Sequence, residues 1–349
     1  MVETPVAVLL MALGGPDSLA SVEPFLSNVR RGRPTPKEMI DEFRERYRRI
    51  GGKSPLLEIS LAQARALEAR LNKEAGPYRC YVGMRHWKPY VRDTVLRMRD
   101  DGVRRIVALC LTPYYSKMSV GAYFADLDTA IADAGATFDI ARVESWNNRP
   151  DLIEAYAGTV RSGLEKLAAE GHPDPAVLFT AHSLPKRIME EGDPYERELQ
   201  ETMAAILARL PPIRARLCYQ SEGRTGDPWL GPPLEDVLEE LGGAGEEAVL
   251  VVPFGFVSDH LEILYDVDIE AKDRARTLGM RLERADSLNT DPKFIEAMAS
   301  AVREASGGPR RLSQGSGSGD GGPASAIPSP SPSVRPAPIS SAGNGGRTS

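Results

Sequence analysis

Cysteine is scarce in this 349-residue chain; the three present, Cys80, Cys110 and Cys218, are odd in number and far apart. That excludes a disulfide framework and a four-cysteine metal knuckle, and no iron–sulfur cluster is expected. Cys80 and Cys110 lie in apolar, strand-like runs and read as core residues. Basic charge is not in excess. The net charge of −6 argues against nucleic acid as the main partner. No apolar run is long enough to span a membrane. The opening "MVETPVAVLLMALGG" has no basic region before its apolar stretch, so it reads as a first strand and not a signal peptide. The cytoplasm is the expected compartment. Neither a Walker A loop nor a GxGxxG opening a helix occurs, so nucleotide chemistry has no support.

What is present is an ordinary globular composition, 42% hydrophobic and 26% charged. Short apolar runs alternate with longer amphipathic stretches. Strands are predicted over Val6–Leu13, Tyr78–Met84, Arg105–Leu111, Phe138–Val143, Ala176–Ala181, Ile213–Tyr219, Ala248–Pro253 and Met280–Arg284, with helices between them. Near-continuous apolar strands separated by helices mean an α/β fold with parallel sheets covered on both faces. The length allows two Rossmann-like halves, 1–150 and 151–305, with the last helix able to pack back on the first half. From Ser306 onward the chain is Ser, Gly, Pro and Ala with almost no large apolar residue. Residues 306–349 are expected to be a disordered tail.

The sequence also repeats itself. "AVLLMALGGP" (Ala7–Pro16) aligns without gaps to "AVLFTAHSLP" (Ala176–Pro185), matching at five of ten positions. A looser pair aligns the runs ending at Pro113 and Pro253. Two similar halves follow, and ligands in such sheets bind at the carboxyl ends of the strands. On this alignment Leu13 and His182 hold equivalent positions at a shared cleft.

Four histidines are candidates for chemistry. His172 lies in the loop composition "EGHPDP", and His86 reads as a packed or solvent-facing side chain just past a strand. His182 ends the apolar run "AVLFTA", where an imidazole at the cleft mouth takes a proton or binds a metal. His260 opens the stretch "DHLEILYDVDIEAKDRA". There Glu262, Asp266 and Glu270 recur every four residues, which on a helix stacks three carboxylates in a column. Two readings compete. In one, Asp259 and Glu262 form a capping box, and Asp268–Lys272 and Glu270–Arg274 are favourable pairs on a solvated face. In the other, the column binds a hard divalent cation. The "RRGR" cluster (Arg30–Arg33) is either solvated surface or a carboxylate-recognising patch.

Together the motifs "LLMALGGP", "GGKSPL", "LTPYYSKMSVGAY", "TAHSLP", "GDPY", "YQSEGRTGDPWLGP" and "FGFVSDHLEILYDVDIE" resemble a ferrochelatase, the family that inserts iron into a porphyrin. The resemblance runs from Val6 to about Val302. It implies two chelatase-type halves, Fe2+ as substrate, a porphyrin as partner, and a lyase of haem biosynthesis acting as a monomer beside other enzymes of that pathway. The runs "RRGRPTPKEM" and "RYRRIGGKSPL" are similar to the enzymes that act on coproporphyrin III; the same reaction on protoporphyrin IX, or a non-catalytic haem-binding protein, are the alternatives. By the resemblance His182 is the catalytic histidine and Glu262 its partner carboxylate at the iron. Asp266 and Glu270 form an acidic ladder holding Mg2+ or another divalent ion. Arg30, Arg46, Tyr47, Ser54 and Tyr123 contact the porphyrin or its propionates. Leu13, on the distal face, stands where coproporphyrin enzymes carry an iron-ligating tyrosine.

Overall fold

The structure is a computed structural model, and it describes residues 5–74, 76–223, 226–307 and 311–312. The first half runs β1 (Val6–Ala12), a 3-10 turn, α1 (Val22–Val29), α2 (Lys37–Arg49), α3 (Leu56–Asn72), β2 (Tyr78–Met84), α4 (Val91–Asp100), β3 (Arg105–Cys110), α5 (Val120–Asp133) and β4 (Asp139–Val143). The second begins with α6 (Pro150–Ala169), β5 (Ala176–His182), α7 (Lys186–Glu190), α8 (Tyr195–Leu207), β6 (Ala215–Gln220), α9 (Leu234–Gly243) and β7 (Ala248–Val252). It continues through α10 (Leu261–Leu264), a π-helical turn (Asp266–Ala271), α11 (Lys272–Thr277), β8 (Arg281–Arg284) and α12 (Pro292–Gly307).

The two sheets have the same topology. Strands run β2-β1-β3-β4 in one and β6-β5-β7-β8 in the other, all parallel. The internal repeat explains this in part. Ala7 pairs with Ile106 and Ala176 with Val249, so Leu13 and His182 lie at equivalent distances beyond equivalent pairs. The looser repeat fails the same test. Counting from those pairs, Pro113 corresponds to Phe256 and not to Pro253; two prolines after apolar strands had suggested a register that the sheets do not have.

Alternation along the strands places the core. Val8, Leu10 and Ala12 of β1 face the same cluster as Val177, Phe179 and Ala181 of β5, while Ala7, Leu9 and Met11 face the opposite side of their sheet. The central cluster is thus shared by both sheets. It closes around Phe254, whose ring meets Phe179 at 5.3 Å, Tyr114 at 5.8 Å and Tyr156 at 6.4 Å. Fully burying each such aromatic or aliphatic side chain stabilises the fold by about 2 kcal/mol. The described residues make one compact unit.

The last helix continues to Gly307, and Arg311–Leu312 pair antiparallel with β4. The rest of the expected tail lies outside the described residues. Among the described residues no helix is long and apolar enough to cross a membrane.

Candidate active site

The loops leaving β1, β3, β5 and β7 meet over a cavity of about 310 Å³ lined by both halves. Leu13, Met118, Ser119 and Tyr123 come from the first half; His182, Tyr195, Trp229 and Phe256 come from the second. Its lining is mainly apolar, and the large side chains Leu13 and Met118 remain 37% and 43% exposed at its rim. Close backbone approach makes this convergence feasible. A Cβ on Gly255 would fall 2.6 Å from the Cα of Ala181, the residue before His182.

His182 is the last residue of β5. Its Nδ1 donates to the Ser183 carbonyl at 2.5 Å, so the backbone fixes the orientation of the ring. Nε2 faces Glu262 Oε1 at 3.8 Å. The other Glu262 oxygen lies 3.5 Å from His260 Nε2. Glu262 therefore bridges two imidazoles. Burial opposes its charge, but His182 and His260 outweigh that and hold its pKa at about 2. Burial likewise opposes charge on His260, yet Glu262 raises its pKa above the ordinary value.

Sequence reasoning gave His260 no role. It is the N-cap of α10 in an extended conformation (φ −160°), which turns its ring to the same side as Glu262 two residues later. Its Nδ1 donates to the Ser258 carbonyl at 2.9 Å. Ser258 is fixed in turn by Gln63 of α3, whose Nε2 donates to the Ser258 hydroxyl at 2.8 Å. The available signal was the His-x-Glu spacing across a helix start.

The capping box does not form. No side chain caps α10. The Asp259 carboxylate instead accepts from Ser287 Oγ at 2.7 Å and Asn289 Nδ2 at 2.8 Å, tying this loop to the one after β8. The helix on which the acids were to stack is interrupted by the π turn, in which the Glu270 N–H reaches back five residues to the Tyr265 carbonyl. Asp268 pairs with Lys272 at 2.6 Å as expected. Glu270 does not pair with Arg274, which turns to Glu239 instead.

Arg46 changes the reading of the acidic column. Its guanidinium stands 3.4 Å from Asp266, 3.8 Å from Glu270 and 3.0 Å from Glu42, and stacks 4.8 Å from the Tyr265 ring. The two carboxylates expected to hold a divalent ion are paired with an arginine, because α2 packs beside this segment. Among the described residues no three His, Cys, Asp or Glu side chains converge closely enough to hold a metal ion. Asp266 also accepts from Ser221 Oγ at 2.6 Å. Burial, reinforced by Glu262 and Glu270, pushes its pKa up to about 6 against the opposing pull of Ser221 and Arg46.

Of the five expected porphyrin contacts, Tyr123 lines the cavity. Arg46 is turned to the acids. Arg30 donates to the Pro34 carbonyl at 3.0 Å, folding the "RRGR" loop onto itself. Tyr47 and Ser54 are buried behind the turn after β1. A Cβ on Gly15 would meet Ser54 Oγ at 2.4 Å, so that turn and Ser54 are packed as a unit. The Ser54 N–H donates to the Pro16 carbonyl at 2.8 Å.

The Ferrochelatase family's sequence model matches residues 5–306. A ferrochelatase from Deinococcus radiodurans is 41% identical over 302 residues, 86% of this chain and 96% of the relative. A coproporphyrin III ferrochelatase from Oceanobacillus iheyensis is 36% identical over 305 residues, 86% of this chain and 97% of that one. Among solved structures, SirB from Bacillus subtilis with Fe3+ shares the fold at a TM-score of 0.55 and 12% identity, covering 86% of this chain and 95% of its own. The chain belongs to the ferrochelatase family and is a porphyrin metal chelatase, a lyase.

Proposed function

We propose that this ferrochelatase inserts Fe2+ into coproporphyrin III, giving Fe-coproporphyrin III, with His182 and Glu262 carrying the chemistry. The observation that carries the reading is His182 Nε2 facing Glu262 at 3.8 Å on the wall of an apolar cavity. Insertion removes two pyrrole protons and delivers a dication. A flat, apolar macrocycle fits a cavity rimmed by Leu13 and Met118. His182 Nε2 accepts a pyrrole proton, because Nδ1 is already committed to the Ser183 carbonyl. Glu262, ionised across the working range, stabilises the resulting imidazolium and attracts the incoming Fe2+. His260 holds the other oxygen of Glu262. Asp266, with a pKa near neutrality, is suited to pass protons outward towards the more exposed Glu270.

Support for the four-propionate substrate comes from the motifs around Arg30 and Arg46 and from the Oceanobacillus iheyensis relative's name. Protoporphyrin IX is the second reading. It is favoured by Leu13 in place of a tyrosine and by the engagement of Arg30 and Arg46 away from the cavity. Metalloporphyrin formation followed by absorbance separates them. With Fe2+, kcat/KM on coproporphyrin III is expected to exceed that on protoporphyrin IX at least about tenfold, a difference of about 1.4 kcal/mol. The reverse preference makes protoporphyrin IX the substrate. Arg30→Ala is expected to impair turnover of the four-propionate porphyrin much more than that of the two-propionate one.

A further inference from the structure

The "GDPY" run (Gly192–Tyr195) has no place in the chemistry above, yet its side chains join both walls of the cavity. Asp193 is buried between α7 and α8. Its Oδ2 accepts from Ser116 Oγ at 3.0 Å and from the Lys117 N–H at 2.8 Å, both on the β3–α5 loop of the other half. Its Oδ1 accepts from the Tyr195 N–H at 3.1 Å.

Ser116 is itself a hub and is fully buried. Its hydroxyl accepts from the Met118 N–H at 3.2 Å, and its carbonyl accepts from Ser119 N–H at 3.1 Å and Gly121 N–H at 3.0 Å. The segment shaped by these bonds presents Met118 and Ser119 to the cavity and opens α5, which carries Tyr123. On the other side, the Tyr195 hydroxyl donates to the His182 carbonyl at 3.0 Å, and Tyr195 lines the cavity. The ion pair between these loops, Lys117 with Glu191 at 3.6 Å, is largely exposed and therefore weak.

We propose that Asp193 is a positioning residue that fixes the Met118–Ser119 rim, through Ser116, relative to the strand end bearing His182, and so sets the fit of the cavity to the porphyrin face. The proposal rests on the reading that this cavity holds the porphyrin. Three donors converge on one carboxylate, with charge-assisted hydrogen bonds. An asparagine cannot replace it, because whichever oxygen becomes an NH2 group meets a backbone N–H donor. Asp193→Asn therefore releases one side of the latch while preserving volume.

The test measures steady-state insertion and the quenching of porphyrin fluorescence on binding, with coproporphyrin III and protoporphyrin IX in parallel. Asp193→Asn is expected to raise the porphyrin KM and Kd about tenfold, by the same factor for both porphyrins. The KM for Fe2+ is expected to stay the same, and kcat at saturating porphyrin to change less than KM. Ser116→Ala, which keeps the carboxylate, is expected to raise the porphyrin KM about threefold, and the double variant to be no worse than Asp193→Asn. A merely structural role lowers the active fraction, and hence kcat, without moving the porphyrin KM. An unchanged porphyrin KM in Asp193→Asn, or in Ser116→Ala where the first variant does not fold, overturns the proposal. If the wild-type protein quenches neither porphyrin, the cavity reading itself has failed.

Discussion

The Arg46 guanidinium lies 3.4 Å from the Asp266 carboxylate and 3.8 Å from that of Glu270, two contacts between residues more than two hundred positions apart in the chain. A cation approaching these two acids must compete with the arginine. Removing its charge exposes both to any cation in solution. At the effective dielectric of a partly exposed site, a unit charge near 4 Å contributes up to about 4 kcal/mol. Arg46→Met is therefore expected to strengthen Mn2+ binding at least about tenfold, read from the free-Mn2+ signal in electron paramagnetic resonance. Equal titrations for the two proteins would mean that Arg46 does not compete for the site.

Glu262 and His182 make separable contributions. His182→Ala removes the proton acceptor and is expected to abolish insertion while porphyrin fluorescence is still quenched. Glu262→Gln keeps the shape but loses the charge shared with two imidazoles. A positioned acid–base group contributes about 10²–10⁴-fold, so a drop in kcat within that range is expected, with little change in porphyrin Kd. Wild-type turnover in His182→Ala would exclude it as the base.

The pattern of apolar runs carried the fold far, because parallel strands buried on both faces have few other interpretations. The gapless repeat also identified Leu13 and His182 as equivalent positions in the two sheets. The failures share a physical cause. The capping box and the Glu270–Arg274 pair were both inferred from spacing within one segment. Asp259 and Glu270 instead found partners on Asn289 and Arg46, which no local period reveals. The π turn escaped for the same reason: it inserts one residue into a helix without altering composition. His260 was visible as a residue but not as a participant, since its orientation depends on an extended N-cap.

Leu13 occupies the rim position equivalent to His182 and offers no ligand to iron. The ferric product complex of the wild-type protein is accordingly expected to lack a phenolate-to-iron charge-transfer band. Leu13→Tyr is expected to introduce one and to slow product release, lowering kcat in steady state while a single turnover stays fast. If the wild-type complex already shows the band, another tyrosine lining the cavity, Tyr123 or Tyr195, must reach the iron.

Asp266 makes stability depend on pH in a direction opposite to that of a salt-bridged carboxylate. Its folded pKa of about 6 lies above the ordinary 3.8, chiefly through burial. A raised folded pKa favours the neutral acid in the folded state. The stabilising contribution is therefore complete below the unfolded pKa and is lost as pH rises through about 6. The full gap corresponds to about 3 kcal/mol, of which about 2 kcal/mol falls between pH 4.5 and 7. Asp266→Asn has no proton to lose. Its stability relative to wild type, from urea unfolding at a series of pH values, is expected to improve by about 2 kcal/mol across that interval. A flat difference would show that Arg46 and Ser221 compensate burial fully, placing the pKa of Asp266 near that of an exposed aspartate and removing it from any proton path working near neutral pH.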